Sequence, residues 1–180
     1  MLFRSYPNVN YQALTNRCMV GPSCVAAASG KPDALSIIDS LTPDQYPNIV
    51  MVQLGYNDDP NTFQSDVDQV VNSLTARGVQ RIIFVNLSTR RTSRNYPLSN
   101  AVLANAANSY PNVNVLDWNA ASSAPTQSRW FRDDVHLTTT GRAEFALFLR
   151  RELDTLRTKD RKSTRLNSSH EWISRMPSSA

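Results

Sequence analysis

Three short apolar runs, separated by segments with helical periodicity, constrain the fold of this chain most strongly. Continuous apolar runs of this length are typical of strands buried on both faces of a sheet. The segments around them repeat apolar residues every three or four positions, which predicts amphipathic helices over 62–77 and 140–157 and another that ends before Pro111. Alternating strands and helices predict a three-layer, flavodoxin-like α/β fold with a parallel sheet covered by helices on both faces. The three runs are residues 49–54, 82–85 and 113–116.

The ends of the elements are marked less clearly than their centres. We expect Asn61 to cap the helix over 62–77 and Gly78 to end it, because these residue types favour those positions. The N-terminal region predicts a strand over 9–14, a loop over 15–31 and a short helix over 33–41.

The composition changes near residue 158. Residues 158–180 carry five basic and two acidic side chains, and the stretch 163–170 resembles translated adapter sequence. We interpret 1–157 as one domain and 158–180 as a non-native or disordered tail. The domain itself carries 14 basic and 13 acidic side chains, which argues against a nucleic-acid partner. No apolar run approaches the roughly 20 residues that a membrane-spanning helix needs.

The two cysteines, Cys18 and Cys24, are separated by five residues. No further Cys or His pair completes a zinc site with them. They form either a short-loop disulfide, which would indicate an oxidising compartment, or two free thiols, and spacing alone does not decide between these.

Two segments combine residues that suit ester chemistry. Gly55-Tyr56-Asn57-Asp58 follows the first predicted strand, where Gly55 permits a sharp turn and Asn57 can present an amide donor to a developing oxyanion. His136 precedes the last helix, and Asp133 or Asp134 can orient its imidazole as a general base. Each segment alone is also compatible with an ordinary turn or a loop histidine capped by an acid.

Together these segments resemble two sequence blocks of the SGNH (GDSL-like) hydrolase family, over roughly residues 5–157. The family's Gly-x-Asn-Asp is matched at 55–58, and its Asp-x-x-His before the final helix is matched at 133–136. The resemblance implies that Asn57 is an oxyanion donor, His136 the catalytic base and Asp133 its orienting acid. Asp134 stands where the family often has glycine, so it is interpreted as a neighbour of the triad.

The family's first block, a strand ending in Gly-Asp-Ser, has no counterpart in this sequence. We therefore expect the chain to be truncated at its N-terminus and to lack the family's first strand. Ser23, in Val-Gly-Pro-Ser, is the substitute nucleophile that the chain itself offers, although Pro22 removes a backbone donor beside it. Gly21 is the candidate for the glycine of the second block, which lends an oxyanion amide; an ordinary loop is the alternative.

The resemblance implies a secreted or extracytoplasmic serine esterase or lipase-type hydrolase. It would cleave acetyl or other O-acyl esters of a small molecule or carbohydrate through an acyl-serine, with no metal or cofactor. Two alternatives remain open, a catalytically inactive flavodoxin-like binding module and the SGNH domain of an O-acyltransferase. After the second predicted strand, a cluster of Arg90, Arg91 and Arg94 could hold an anionic substrate group or form solvated surface.

Overall fold

The computed structural model describes residues 12, 17–21, 24 and 32–173, with side chains as far as residue 159. Its centre is a parallel sheet in the order β1-β2-β3, with β1 at Ile49–Val52, β2 at Arg81–Val85 and β3 at Val113–Leu116. Val50 pairs with Ile82 between the first two strands. The predicted parallel sheet is confirmed, whereas the strand predicted over 9–14 lies almost entirely outside the described residues.

Five α-helices flank this sheet in the described part of the chain. Their apolar stripes pack on two separate cores, one on each face of the sheet, so the predicted three-layer α/β fold is confirmed. The helices are α1 at Ala34–Ser40, α2 at Phe63–Ala76, α3 at Tyr96–Ser109, α4 at Trp118–Ser122 and α5 at Thr139–Ile173.

One face of the sheet carries α1, α2 and α3. The apolar positions that predicted α2 are all buried there, against Ile82 and Phe84 of β2 and Leu103 of α3. The opposite face carries α4 and α5, where Phe148 and Leu149 pack on Ile83. Burial of apolar surface stabilises a fold by about 25 cal/mol for each Å² removed from water. The apolar cores on the two faces of the sheet are therefore the main stabilising features of this fold.

Strand β1 is covered on one face only, contrary to the prediction that its run is buried on both. Val52 is buried with the α2 core, but Ile49 is 55% exposed and Met51 is 40% exposed. The reason is that α5 lies over β2 and β3, and no described helix covers β1 on that face.

The ends of α2 agree with the prediction at one end only. Gly78 adopts φ +83° and donates its N–H to the Thr75 carbonyl oxygen, so it ends the helix as predicted. The predicted cap by Asn61 is wrong. Thr62 occupies the N-cap position, and its hydroxyl donates to the Asp59 carbonyl oxygen at 3.3 Å instead of capping the helix. The Asn61 side-chain amide donates to Asp59 Oδ1 at 3.0 Å.

Helix α5 continues to Ile173, beyond the end predicted near residue 157. Its first part packs on the sheet as predicted. The extension has a simple local cause, since neither glycine nor proline occurs between Gly141 and Pro177, and nothing therefore interrupts helical propensity. Among the described helices, none combines the length and apolar character needed to cross a membrane.

Candidate active site

The turn after β1 depends on glycine. Gly55 adopts φ +126°, and a Cβ there would lie only 3.0 Å from Leu87 Cδ1 and from Phe63 Cζ. The chain therefore reverses within the turn, and the N–H of Asp58 donates to the Gly55 carbonyl oxygen at 3.4 Å. Asn57 is half-buried at this turn. Its side-chain amide has no hydrogen bond among the described residues, so it is available as a donor.

Tyr56 fastens the same turn to the segment after β2. Its hydroxyl oxygen accepts from the Ser88 N–H at 2.8 Å, and burial raises the pKa of Tyr56. The Tyr96 hydroxyl donates to the Tyr56 carbonyl oxygen at 3.3 Å, and the two rings meet edge to face at 5.1 Å. Asn57 is thus held between two fixed neighbours: Tyr56, which is anchored by hydrogen bonds, and Asp58, which is buried.

Asp58 anchors the N-terminal loop to the turn. Its carboxylate is fully buried and accepts from the Met19 N–H at 2.7 Å. Cys24, which is joined to Cys18 by a disulfide, forms an antiparallel backbone β-bridge with Asp58. The structure therefore contains the disulfide, which is one of the two states that the sequence left open for the cysteines. Burial first, and then the charge of Asp66, raise the pKa of Asp58 to about 6, although backbone N–H groups partly oppose this.

The Asp58→Asn variant is expected to gain stability relative to the parent chain as the pH rises. Between about pH 4 and 6 the folded state holds a proton on Asp58 that the unfolded chain has released, so the parent chain loses stability as the pH rises through this window. The difference amounts to at most about 3 kcal/mol. Urea unfolding of both chains at pH 4, 5, 6 and 7 measures it. A stability difference that is constant across this range would contradict the prediction.

Gly21 lies in the loop that Asp58 anchors. It is exposed, and a Cβ added to it would lie 2.8 Å from Asp33 Oδ2. A carboxylate so close is unfavourable for developing negative charge, and the oxyanion role of Gly21 remains a prediction. Ser23, the substitute nucleophile, lies outside the described residues.

The Asp133–His136 pair is assembled within a single turn before α5. His136 Nδ1 lies 2.9 Å from both carboxylate oxygens of Asp133. The backbone N–H of His136 donates to Asp133 Oδ1 at 2.8 Å, and that of Val135 does so at 3.4 Å. These hydrogen bonds, first from the backbone and then from the ring of His136, hold the pKa of Asp133 well below its usual range. Asp133 is therefore ionised at neutral pH and can only accept.

Asp134 permits this arrangement through its backbone. It has φ +64°, the only positive φ of a residue other than glycine in the described part of the chain. Glycine adopts this conformation without strain, whereas it is uncommon for other residues. No hydrogen bond joins Asp134 to His136 among the described residues, so Asp133 is the acid that the structure pairs with the histidine.

The turn is closed at its base and packed on the core. Phe131 and Leu137 form an antiparallel backbone β-bridge, and the Thr138 N–H donates to the Trp130 carbonyl oxygen at 2.9 Å. Trp130 stacks on Trp118 of α4 with ring centroids 5.8 Å apart, so the base of the turn is packed on the core. The exposed side of the turn carries His136, whose side chain is 58% exposed.

The arginines after β2 have different surroundings. Arg90 donates through Nε to the Ser122 carbonyl oxygen at 2.9 Å and lies 5.3 Å over the Phe131 ring, so it is a packing residue. Arg91 donates to the Asp133 carbonyl oxygen at 3.2 Å. Arg94 has no hydrogen bond or ion pair among the described residues. The cluster is therefore neither a uniform anion site nor a uniformly solvated surface.

The segment after β2 consequently connects the two predicted catalytic segments. Ser88 bonds to Tyr56 beside Asn57, and Arg91 bonds to Asp133. Of these segments, 55–58 and 88–91 follow the carboxyl ends of β1 and β2, the edge of a parallel sheet where ligand sites form. Sequence reasoning missed Tyr56 and Arg91 as supports. The signal for Tyr56 was an aromatic residue inside the first motif, whereas Arg91 lies 42 residues before Asp133 and has no signal near the second motif. Among the described residues, no three His, Cys, Asp or Glu side chains form a group that could hold a metal ion.

The sequence matches no protein-family model. The comparison with curated proteins likewise gives no match.

Proposed function

We propose that the protein is a serine ester hydrolase that uses Asp133 and His136 to cleave O-acyl esters. The observation that carries this proposal is the position of His136 Nδ1, 2.9 Å from both oxygens of the ionised Asp133 carboxylate. A carboxylate can only accept, so Nδ1 carries the proton and Nε2 is the basic nitrogen. A base oriented in this way on an exposed turn is suited to proton transfer with a bound substrate.

In the proposed reaction, a serine oxygen attacks the acyl carbonyl carbon while its proton passes to Nε2 of His136. Asn57 donates its side-chain N–H to the oxyanion, and Asp133 stabilises the imidazolium. The carbon–oxygen bond of the ester then breaks, and His136 returns the proton to the leaving alcohol. Water, deprotonated by the same nitrogen, releases the acyl group from the serine. Ser23 is the candidate nucleophile within this chain.

The proposed substrates are small-molecule or carbohydrate esters. The Cys18–Cys24 disulfide supports the further proposal of an oxidising, extracytoplasmic setting, because such bonds persist there. An acyltransferase would share the acyl-serine step and differ only in passing the acyl group to an alcohol instead of water. Adding a sugar alcohol to the reaction and identifying the acylated product distinguishes these two outcomes.

Mass spectrometry of the trapped acyl-enzyme tests the proposal. The chain is mixed with 4-nitrophenyl acetate, quenched in acid and digested, and we expect an acetyl group on one serine together with release of nitrophenol. The matched control is the same chain in urea, where the site is not assembled and no selective serine label is expected. If the folded chain acquires no acetyl-serine and releases no nitrophenol above the urea control, the proposal is wrong, and a binding module without activity becomes the better reading.

A further inference from the structure

The Asp133–His136 turn packs on the core, but the described packing contacts are made by the residues at its base, Trp130, Phe131 and Leu137. Its hydrogen bonds from Arg132 to His136 and from Thr138 to Trp130 are all internal to residues 130–138. They set the distance between the acid and the base. They do not set the distance from that pair to an oxyanion donor on another strand. The segment after β2 already contacts the base of the turn through Arg90, which lies over the Phe131 ring, but fixing the acid itself requires a contact to Asp133.

Arg91 supplies that contact. Its side chain is 35% exposed, and it donates to the backbone carbonyl oxygen of Asp133 at 3.2 Å, with the same nitrogen 3.9 Å from Asp133 Oδ1. Arg132 also approaches the carboxylate, at 3.6 Å, but it belongs to the turn itself and is 71% exposed. Of these two arginines, only Arg91 links the turn to another element.

The segment that bears Arg91 is itself held at the oxyanion side. The N–H of Ser88 donates to the hydroxyl oxygen of Tyr56, the residue before Asn57. Between them, the Thr89 N–H donates to Asn119 Oδ1 of α4 at 3.0 Å. Residues 88–91 thus form a short, fixed connection between the two catalytic segments. Arginine suits the end of this connection because a planar guanidinium loses little conformational freedom when it binds a carbonyl oxygen.

We propose that Arg91 is a positioning residue that holds the Asp133–His136 pair in register with Asn57. This inference rests on the proposed hydrolase function. Arg91 does not contact the reacting atoms; it acts through the backbone of Asp133. Because a displacement of about 1 Å can cost on the order of 100-fold in rate, loss of this one hydrogen bond has a measurable effect on turnover.

The test compares Arg91→Ala and Arg91→Lys with Arg94→Ala, which removes the same charge from the same segment without a described contact to the turn. We expect Arg91→Ala to lower kcat by about 10- to 100-fold with little change in KM. Arg91→Lys should restore part of kcat, since an ammonium can still donate one hydrogen bond. Arg94→Ala should match the parent chain. Equal kcat values in Arg91→Ala and Arg94→Ala would overturn the inference.

Backbone NMR relaxation dispersion of residues 131–137 gives a second readout that needs no turnover. We expect exchange on the microsecond to millisecond timescale in Arg91→Ala and none beyond the parent level in Arg94→Ala. If the parent chain has no esterase activity, the proposed function fails, while this comparison still decides whether Arg91 holds the turn. Identical relaxation in the two variants would count against Arg91 irrespective of activity.

Discussion

Asp133→Asn is expected to lower kcat for ester hydrolysis by about 10³- to 10⁴-fold while the chain remains folded. The Asp133 carboxylate accepts from His136 Nδ1 with both oxygens, 2.9 Å away. An asparagine amide turned toward Nδ1 donates instead, so it favours the tautomer that carries its proton on Nε2. That nitrogen then cannot act as a base, although the geometry of the turn is nearly unchanged.

Asp134→Asn is the matched control, because it makes the same chemical change one residue away. Asp134 makes no described hydrogen bond to His136, and asparagine tolerates its φ of +64°. Steady-state kinetics with 4-nitrophenyl acetate, together with circular dichroism of both variants, provide the comparison. Equal activity of the two variants would show that the Asp133–His136 hydrogen bonds have no catalytic role.

Gly141→Ala is expected to destabilise the chain by about 3 kcal/mol or more, in the direction opposite to helix propensity. Alanine is the better helix former by about 1 kcal/mol, so propensity alone predicts a gain. A Cβ at this position, however, would lie 2.0 Å from the Trp130 carbonyl oxygen. The start of α5 must then move away from Trp130. This displaces the base of the Asp133–His136 turn, so the proposed esterase activity should fall together with stability.

Gly78→Ala is the control for this substitution. Gly78 has φ +83°, and nothing lies within 4 Å of an added Cβ, so the cost is confined to backbone strain of about 1 kcal/mol. Thermal and urea unfolding of the two variants measure the difference. A Gly141→Ala chain that is more stable than the parent would mean that the close contact with Trp130 is not maintained in solution.

The sheet and its helices could be predicted from the sequence because their signals are local. The periodic positions of α2, from Phe63 to Leu74, are all buried, as their spacing predicted. The burial of β1 could not be predicted in the same way. A continuous apolar run indicates a strand, but which face is covered depends on where α5 packs, and the run at 49–54 does not contain that information.

Errors at the element ends have similar causes. Asn61 has the residue type of a cap, but its side chain bonds to Asp59, and competition between two local partners is not visible in a propensity. The end of α5 was placed by the loss of apolar periodicity. The helix continues past that point in a stretch without glycine or proline, so nothing in the sequence interrupts helical propensity.

The candidate site was predictable to the extent that it is local. The Asp133–His136 pair spans one turn, so its residue types and spacing were sufficient to suggest the hydrogen bond that the structure contains. The burial of Asp58 and the contact from Arg91 depend on segments 39 and 42 residues away, respectively. Such contacts follow from the topology of the sheet and leave no pattern in the sequence near the motif. The catalytic roles of Asp133, His136, Asn57, Gly21 and Ser23 all remain predictions.

The self-contained turn at 131–137 has an evolutionary consequence. The described hydrogen bonds between Asp133 and His136 lie within the turn, whereas the contact from Arg91 comes from another element. Under the proposed function, mutations in the segment after β2 would shift the base toward substrates of different size and leave its hydrogen bonds to Asp133 intact. Substrate range and proton-transfer chemistry would then diverge independently in descendants of this chain.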